Sequence, residues 1–249
     1  MTQCSILGRM ATVKSPPTSS ARRERAKRTR LRIAAAAAEL FASLGYSGTT
    51  VEAVAQRAGV AVQTVYFVFH TKSQLLVESV KIAGGGPEGG SEVMARVWIQ
   101  DVIAATDGAR RLALAIEHGS LIYQRLAPLW PAVQAALGEP DVRESWGEIV
   151  KGRRDGMRRI VDLMASRKEL REGLDPGMAS DILFGLHRHE LYLAFTQEAG
   201  WTFDRYRAWT FATLCEQLLP PSVARAALRA GSSATAGLEL ATALPELGR

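Results

Sequence analysis

The sequence predicts an all-α protein in which a small N-terminal helical domain precedes a larger helical domain. Apolar residues recur at helical spacing along most of the chain, and no alternation of Val, Ile, Thr and Tyr indicates a sheet. Ser, Thr or Asp residues precede several of these segments, and Gly or Pro residues follow them, as expected of helix ends. The run GGGPEGG at 84–90 cannot continue a helix and predicts a linker between the two domains.

Composition and charge narrow the class of protein. Of the 249 residues, 47% are hydrophobic and 22% are charged, which is ordinary for a globular protein with a sizeable core. Residues 1–83 hold 12 Lys and Arg against 4 Asp and Glu, whereas residues 84–249 hold 19 against 21. This asymmetry favours a polyanionic partner for the first third, although a solubilising basic tail would give the same pattern.

The expected location is the cytoplasm. Cys4 and Cys215 are the only cysteines, so no disulfide framework is indicated. No apolar stretch approaches the length of a membrane span, and the first ten residues lack the apolar core of a signal peptide. We therefore expect no membrane partner.

The first helix is predicted to follow a disordered basic arm at residues 1–21, which is rich in Ser, Thr and Pro. The small domain then covers residues 22–83. Gly45 is placed to end the helix. One face of the helix carries apolar residues at i, i+4, i+7, i+8 and i+11, namely Ile33, Ala37, Leu40, Phe41 and Leu44.

Two short helices follow, at about 51–58 and 62–68. Thr49 and Glu52 have capping-box spacing, and Gly59 can take the left-handed conformation of a sharp turn. Two short helices joined by a glycine-containing turn are typical of the helix-turn-helix, whose second helix enters the major groove of DNA.

Helical patterns fill the rest of the chain. Thr71 and Gln74 repeat the capping spacing at the start of a fourth, connecting helix. Residues 91–230 form the predicted larger domain, and the Ala-, Gly- and Ser-rich residues 231–249 form a flexible tail. Further helix starts are indicated by Asp107, Asp141, Asp175 and Thr202.

The N-terminal region resembles the DNA-binding region of TetR/AcrR-type transcriptional repressors. The resemblance covers about 60 residues around ELFASLGYSGTTVEAVAQRAGVAVQTVYFVFHTKSQLL. It rests on Phe41, Gly45, Tyr46, Thr49, Thr50, Val51, Ala55, Ala58, Gly59, Val60, Thr64, Val65, Tyr66, Phe69, Lys72, Leu75 and Leu76.

This resemblance implies a homodimer that binds a double-stranded DNA operator and is therefore associated with the nucleoid. Phosphate contacts are implied for Thr50, Thr64, Tyr66 and Lys72, and such contacts position a protein without reading sequence. Gln63 is the expected base reader, because a Gln amide can bond adenine through two hydrogen bonds. Thr49 is expected mainly to cap the second helix, with any phosphate contact secondary.

Other candidate DNA contacts are less typical of the family. Arg22, Arg23 and Arg25 could reach the backbone or the minor groove. Val62 and Phe67 could touch thymine methyls or pack on helix four, whereas Val65 and Phe69 are expected in the core. Many relatives carry Ser-Lys-Gly at the positions of Ala61, Val62 and Gln63, so helix three lacks a Ser cap here. His70, also a candidate contact, stands where relatives often have Pro.

The middle of the chain is implied to hold a pocket for a small-molecule effector. Aromatic and Met residues at helical spacing are more often plain core, so each candidate keeps both interpretations. The candidate pocket residues are Trp98, His118, Tyr123, Trp130, Trp146, Met157, Met164, Phe184 and His187. No cofactor or metal is expected, because His187 and His189 are two residues apart and would not share a helix face.

Residues 190–219 are similar to the last two helices of one TetR-like subgroup, where two subunits form a four-helix interface. The interface residues implied are Leu186, Leu191, Phe195, Tyr206, Trp209, Thr213 and Gln217.

The function expected from these features is repression that a small apolar molecule relieves. Activation by the same fold stays open, as does a DNA-binding structural protein without a ligand. A helical enzyme with an accessory DNA-binding domain is a further alternative. The sequence shows no nucleophile–base motif, phosphate-binding glycine loop or paired carboxylates, which argues against the enzyme.

Overall fold

A computed structural model describes residues 19–85 and 99–234, and every regular element within them is helical. The all-α prediction is confirmed. The elements are α1 (Ser19–Gly48), α2 (Val51–Ala58), α3 (Val62–Phe69), α4 (Lys72–Gly85), α5 (99–104), α6 (Gly108–Leu126), α7 (Trp130–Ala136), α8 (Pro140–Ser166), α9 (Pro176–Leu186), α10 (His189–Leu193), α11 (Phe203–Leu218) and α12 (Pro221–Ala234). A 3₁₀ turn, Ala127–Leu129, precedes α7, and a π-helical turn, Ala194–Glu198, follows α10. Among these helices none is both long and apolar enough to cross a bilayer.

Helix α1 begins at Ser19, so its first turns extend into the stretch predicted as an arm. The rest of that arm, most of the predicted linker and the end of the predicted tail lie outside the described residues. Gly45 interrupts the helix with φ of +70°, as its predicted role as helix end requires. Leu44 was predicted on the buried face but is 54% exposed, because none of the described elements covers this last turn.

One hydrophobic core joins the N-terminal helices to the larger domain. It contains buried residues of α1 to α4 together with residues of α7 and the start of α8. Helix α1 packs against α4 and α7, and α4 also packs against α6 and α8. A second core lies between α6, α8, α9, α11 and α12. The helix-turn-helix is therefore packed directly on the domain that carries the cavity described below.

Helix starts were predicted well where a side chain caps the helix. Asp107, Asp175 and Thr202 each accept a backbone N–H from three residues ahead, as predicted. Asp141 does not cap α8, because the helix begins before it, at Pro140, a residue type that fits the first helical position. Asp141 instead accepts a hydrogen bond from Ser73 Oγ at 3.2 Å, which ties α8 to α4.

Candidate functional site

The start of α2 is held by two adjacent threonines with different roles. Thr50 is the N-cap, and its Oγ1 accepts a hydrogen bond from Ala53 N–H at 3.1 Å. Thr49, the predicted cap, is 1% exposed, and its hydroxyl donates to the Gly45 carbonyl at 2.8 Å. The capping prediction was therefore wrong by one residue. Because the Thr49 side chain faces inward, it does not lie on the surface predicted to meet phosphates.

The corner between α2 and α3 is built on Gly59. Its φ of +63° and ψ of +44° are left-handed, and the next N–H, of Val60, donates back to the Ala55 carbonyl at 3.0 Å. Helix α3 begins at Val62 after Ala61, which provides no side-chain cap, as predicted. The helix-turn-helix geometry that the sequence predicted is thus present.

One face of α3 is exposed and carries the predicted readers. Gln63, Tyr66 and Phe67 are spaced i, i+3 and i+4 on α3, so they share a face, and His70, the non-helical residue that ends the helix, is also exposed. Tyr66 is 46% exposed and Phe67 is 83% exposed. On the opposite face, Val65 and Phe69 are buried, as predicted. We call the four exposed residues the α3 face.

Val62 and Phe67, each expected either to touch thymine methyls or to pack on helix four, differ in the structure. Val62 is half-buried and packs against the core around α1 and α4. Phe67 projects into solvent and is free to meet a partner. Thr64 is half-buried beside the α3 face, and Thr50 is exposed at the start of α2.

Lys72 does more for the fold than the family resemblance implied. Its Nζ donates to the carbonyls of Tyr46 at 2.8 Å and of Thr49 at 3.1 Å, and lies 4.3 Å from the centre of the Tyr46 ring. Two of its three N–H groups are therefore used to hold the α1–α2 connection against α4. One N–H remains for a phosphate.

The N-terminal turns of α1 present a row of cations. Arg22, Arg23 and Arg25 are exposed on the helix, and none forms an ion pair with a described residue. Arg30, further along, is paired with Glu78 of α4 and covers the Phe69 ring at 4.9 Å. Arg30 therefore fastens α1 to α3 and α4, while the earlier arginines remain available to a polyanion.

A cavity of about 380 Å³ lies in the larger domain, between α4, α6, α8 and the α9–α10 junction. Its lining is mostly apolar, and its volume lies at the small end of the range for ligand pockets. The predicted pocket residues that line it are His118, Tyr123, Trp146, Met157 and His187.

The other predicted pocket residues lie elsewhere. Met164 is fully buried in the second core. Trp130 packs behind the cavity, against the rings of Trp146 and His189. Phe184 lies beneath the Arg153 guanidinium at 4.1 Å. Trp98 is outside the described residues.

Polar groups converge at one part of the cavity wall. Tyr123 Oη donates to the His187 carbonyl at 2.9 Å, and Arg153 Nη1 donates to the same carbonyl at 2.9 Å and to Tyr123 Oη at 3.2 Å. Burial lowers the pKa of His187 to about 3 and that of His189 to about 4, and the nearby Arg153 charge acts in the same direction. Both imidazoles are therefore neutral at pH 7.

Comparison with known proteins decides the family of the N-terminal domain. Residues 33–78 match the family model of bacterial regulatory proteins, tetR family.

The chain carries a TetR-family DNA-binding domain.

Relatives match well beyond that domain. The fatty acid metabolism regulator protein of Bacillus subtilis (strain 168) is 28% identical over 158 residues, which are 62% of this chain and 77% of that protein. A solved structure from Mesorhizobium loti MAFF303099, described as a TetR-family transcriptional regulator, is 25% identical with a TM-score of 0.62, covering 76% of this chain and 95% of that one.

Two further solved structures share the fold and hold ligands. The transcriptional regulator FadR of Bacillus subtilis, in complex with stearoyl-CoA, has a TM-score of 0.56 at 22% identity and covers 74% of this chain and 96% of its own. A protein of Saccharomonospora viridis, described as a transcriptional regulator and in complex with choline, has a TM-score of 0.63 at 16% identity, covering 78% and 98%.

The predicted dimer residues fall into two groups. Leu186, Leu191, Phe195, Trp209 and Thr213 are half-buried, and Gln217 is exposed. Tyr206 is fully buried inside the protomer, where its ring packs against Tyr192 and Phe195. Its predicted place at an interface is wrong, because those rings occupy the surface that a partner would need.

Sequence reasoning missed two of the polar groups in the cavity wall. Arg153 and Arg154 are adjacent on α8, yet Arg153 lines the cavity while Arg154 pairs with Asp181 at 2.6 Å. The sequence offers no signal that separates them. His189 was weighed only as a metal ligand, and the described residues contain no cluster of three or more groups able to hold a metal.

Proposed function

We propose that this protein is a ligand-responsive transcriptional repressor that binds operator DNA as a homodimer and is released by a small, mostly apolar molecule. The observation that carries the proposal is the α3 face. An exposed amide, phenol and phenyl ring, on the second helix of a TetR-family helix-turn-helix, have the chemistry to contact base edges and phosphates.

Helix α4 connects the helix-turn-helix with the cavity. Lys72, at its start, holds the α1–α2 connection, and Val80, Lys81, Gly84 and Gly85, near its end, line the cavity. A molecule that fits the cavity better in one position of α4 shifts the population toward that position. A tenfold loss of DNA affinity needs a coupling of only about 1.4 kcal/mol.

Catalysis is not part of the proposal. Ser120 Oγ lies 3.4 Å from His187 Nε2, which resembles a nucleophile–base pair. Ser120 is fully buried, however, and is not among the residues that line the cavity. A molecule in the cavity would therefore meet the imidazole and not the hydroxyl.

The test is selection of bound duplexes from a random pool by the full chain and by Gln63→Ala. Gln134→Ala, an exposed glutamine on α7, is the matched control. We expect the Gln63 variant to lose preference at one base position of each half-site while nonspecific binding stays. The control should select the same sequence as the unaltered chain. If both variants keep the full preference, Gln63 does not read a base.

A further inference from the structure

The charge of the effector can be argued from the cavity wall, if the proposed function is correct. Proteins of this fold hold stearoyl-CoA, an anion, and choline, a cation. The fold alone therefore leaves the charge class open, and the side chains of this cavity must decide it.

Most of the wall suits an apolar chain or ring. Aliphatic side chains from α6, α8 and α9 line it, including Ile122, Leu126, Ile149, Val150, Ile160 and Leu183. Burying an apolar body against them is favourable because it removes apolar surface from water. The effector therefore has an apolar body.

One buried side chain in the wall lacks a partner. His189 is 4% exposed and lines the cavity, yet neither of its ring nitrogens has a hydrogen-bond partner among the described residues. Its ring is fixed edge-on against Trp130 at 4.9 Å and Tyr123 at 5.8 Å between ring centres. Leaving a buried polar group unpaired is unfavourable, so a polar atom of the effector is expected beside it.

The charged groups of the wall favour an anion. Lys81, Arg125 and Arg153 line the cavity, and Glu190 is the single carboxylate among the described lining residues. Glu190 already accepts a hydrogen bond from Arg188 Nε at 2.8 Å. A cationic head would face three cations with one engaged carboxylate, in surroundings that screen charge poorly.

Arg153 has the geometry to receive an anionic head. Both of its hydrogen bonds to described residues use Nη1, and the guanidinium carbon lies 4.1 Å from the centre of the Phe184 ring. Nε and Nη2 remain for an oxygen pair. A guanidinium fork matches a carboxylate through two parallel hydrogen bonds.

We propose that the effector is an amphiphilic carboxylate whose head binds between Arg153 and His189 and whose apolar body lies along α6 and α8. The carboxylate satisfies the free side of the guanidinium fork and accepts the N–H of the neutral His189 ring. A neutral alcohol has one oxygen and can make only one of these two contacts. A quaternary ammonium accepts no hydrogen bond and can make neither.

The experiment compares three probes with the same decyl-length tail and different heads: decanoate, decanol and decyltrimethylammonium. Binding to the full chain without DNA is measured by calorimetry, below the concentration at which each probe forms micelles. We expect decanoate to bind at least tenfold more tightly than decanol, and decyltrimethylammonium most weakly. Equal binding of decanoate and decanol, stronger binding of the ammonium probe, or binding by none of the three overturns the proposal.

Variants then test which side chains bind the head group. Arg153→Met should remove the preference for decanoate over decanol, whereas Arg154→Met, its neighbour paired to Asp181 outside the cavity, should keep it. His189→Phe keeps the ring packing and should weaken decanoate more than decanol. Preference retained in Arg153→Met overturns the assignment, and the probe comparison on the unaltered chain does not depend on how any variant folds.

A chain that selects a DNA sequence but shows no preference for decanoate overturns only the effector class. A chain that prefers decanoate but selects no DNA sequence overturns the repressor.

Discussion

At the scale of single residues, Gly119 of α6 keeps the cavity wall in place. A Cβ added at Gly119 would lie 2.2 Å from His187 Cε1, a contact that real Cβ atoms do not make. The His187 ring is fully buried and cannot swing into solvent, so Gly119→Ala must displace it.

We expect Gly119→Ala to destabilise the fold by about 1–3 kcal/mol and to weaken effector binding, because overpacking forces buried groups from their positions. Gly147→Ala is the control, since a Cβ there meets nothing within 4 Å. That change should stabilise α8 by about 0.5–1 kcal/mol. Urea unfolding of both variants measures the difference, and equal stability would show that His187 moves without cost.

His187 and His189, which both line the cavity, make the free energy of unfolding depend on pH. The folded-state pKa values of His187 and His189, about 3 and about 4, lie below the ordinary value of 6.5, first because burial disfavours the charged ring. Below pH 6.5 the unfolded chain therefore binds protons that the folded chain does not, so stability is full at neutral pH and is lost as pH falls.

Each histidine should remove about 2 kcal/mol of stability between pH 7 and pH 5. Glu190 does not contribute in this window, because the hydrogen bond from Arg188 holds its pKa at about 2. The stability that Glu190 contributes is lost only as the pH falls below 4.5. Unfolding of the chain and of His189→Phe at several pH values tests this. The variant should lose about 2 kcal/mol less than the unaltered chain between pH 7 and pH 5, and an unchanged pH dependence would contradict the assignment.

At the scale of elements, α3 holds one phenylalanine that faces solvent and one that packs in the core. Phe67 is 83% exposed on the α3 face, whereas Phe69 is 3% exposed in the core. Phe67→Ala should change stability by no more than about 0.5 kcal/mol and weaken DNA binding, since it touches no core. Phe69→Ala should cost about 3–5 kcal/mol.

Thermal unfolding and DNA titration of the two variants form a matched pair. If Phe67→Ala binds DNA as well as the unaltered chain does, the ring has no part in recognition. If Phe67→Ala instead lowers stability as much as Phe69→Ala does, the α3 face is not a free surface.

The sequence predicted correctly those helix ends and turns that depend on contacts between residues close together in the chain. The corner at Gly59 and the caps at Asp107, Asp175 and Thr202 each depend on neighbours a few residues away, and these predictions were confirmed. Two adjacent threonines offered the same capping chemistry at the start of α2, so the cap was placed one residue early. The start of α8 was also misplaced, because Asp141 lies inside the helix and its carboxylate bonds to Ser73, which is far away in sequence.

The cavity could be predicted only in part, because its wall is a tertiary feature. Aromatic residues on helices were expected either in the core or around a ligand, and only packing could separate Trp146 from Trp130. Arg153 and Arg154 differ by one helical step, so the direction in which α8 faces decides which one meets the cavity.

At the scale of the whole molecule, the helix-turn-helix and the larger domain share one core. We therefore expect them to unfold together, since separating them would expose the buried contacts of α1 and α4 with α7 and α8. All five tryptophans lie beyond residue 97, so their fluorescence reports the larger domain, while far-ultraviolet dichroism reports every helix.

The two signals should give coincident urea transitions at a fixed protein concentration. A dichroism change that precedes the tryptophan change would mean that α1 to α4 unfold on their own. In that case α4 could not transmit a change from the cavity to α3.

We propose that two copies of α3 read base edges from successive major grooves of one duplex. A footprint of the full chain on the duplex that it selects from a random pool tests this. We expect two protected half-sites whose centres lie about 10–10.5 base pairs apart, or a multiple of that spacing, with Gln63→Ala losing preference within each half-site. Uniform protection of any duplex, with no enriched sequence, would contradict it.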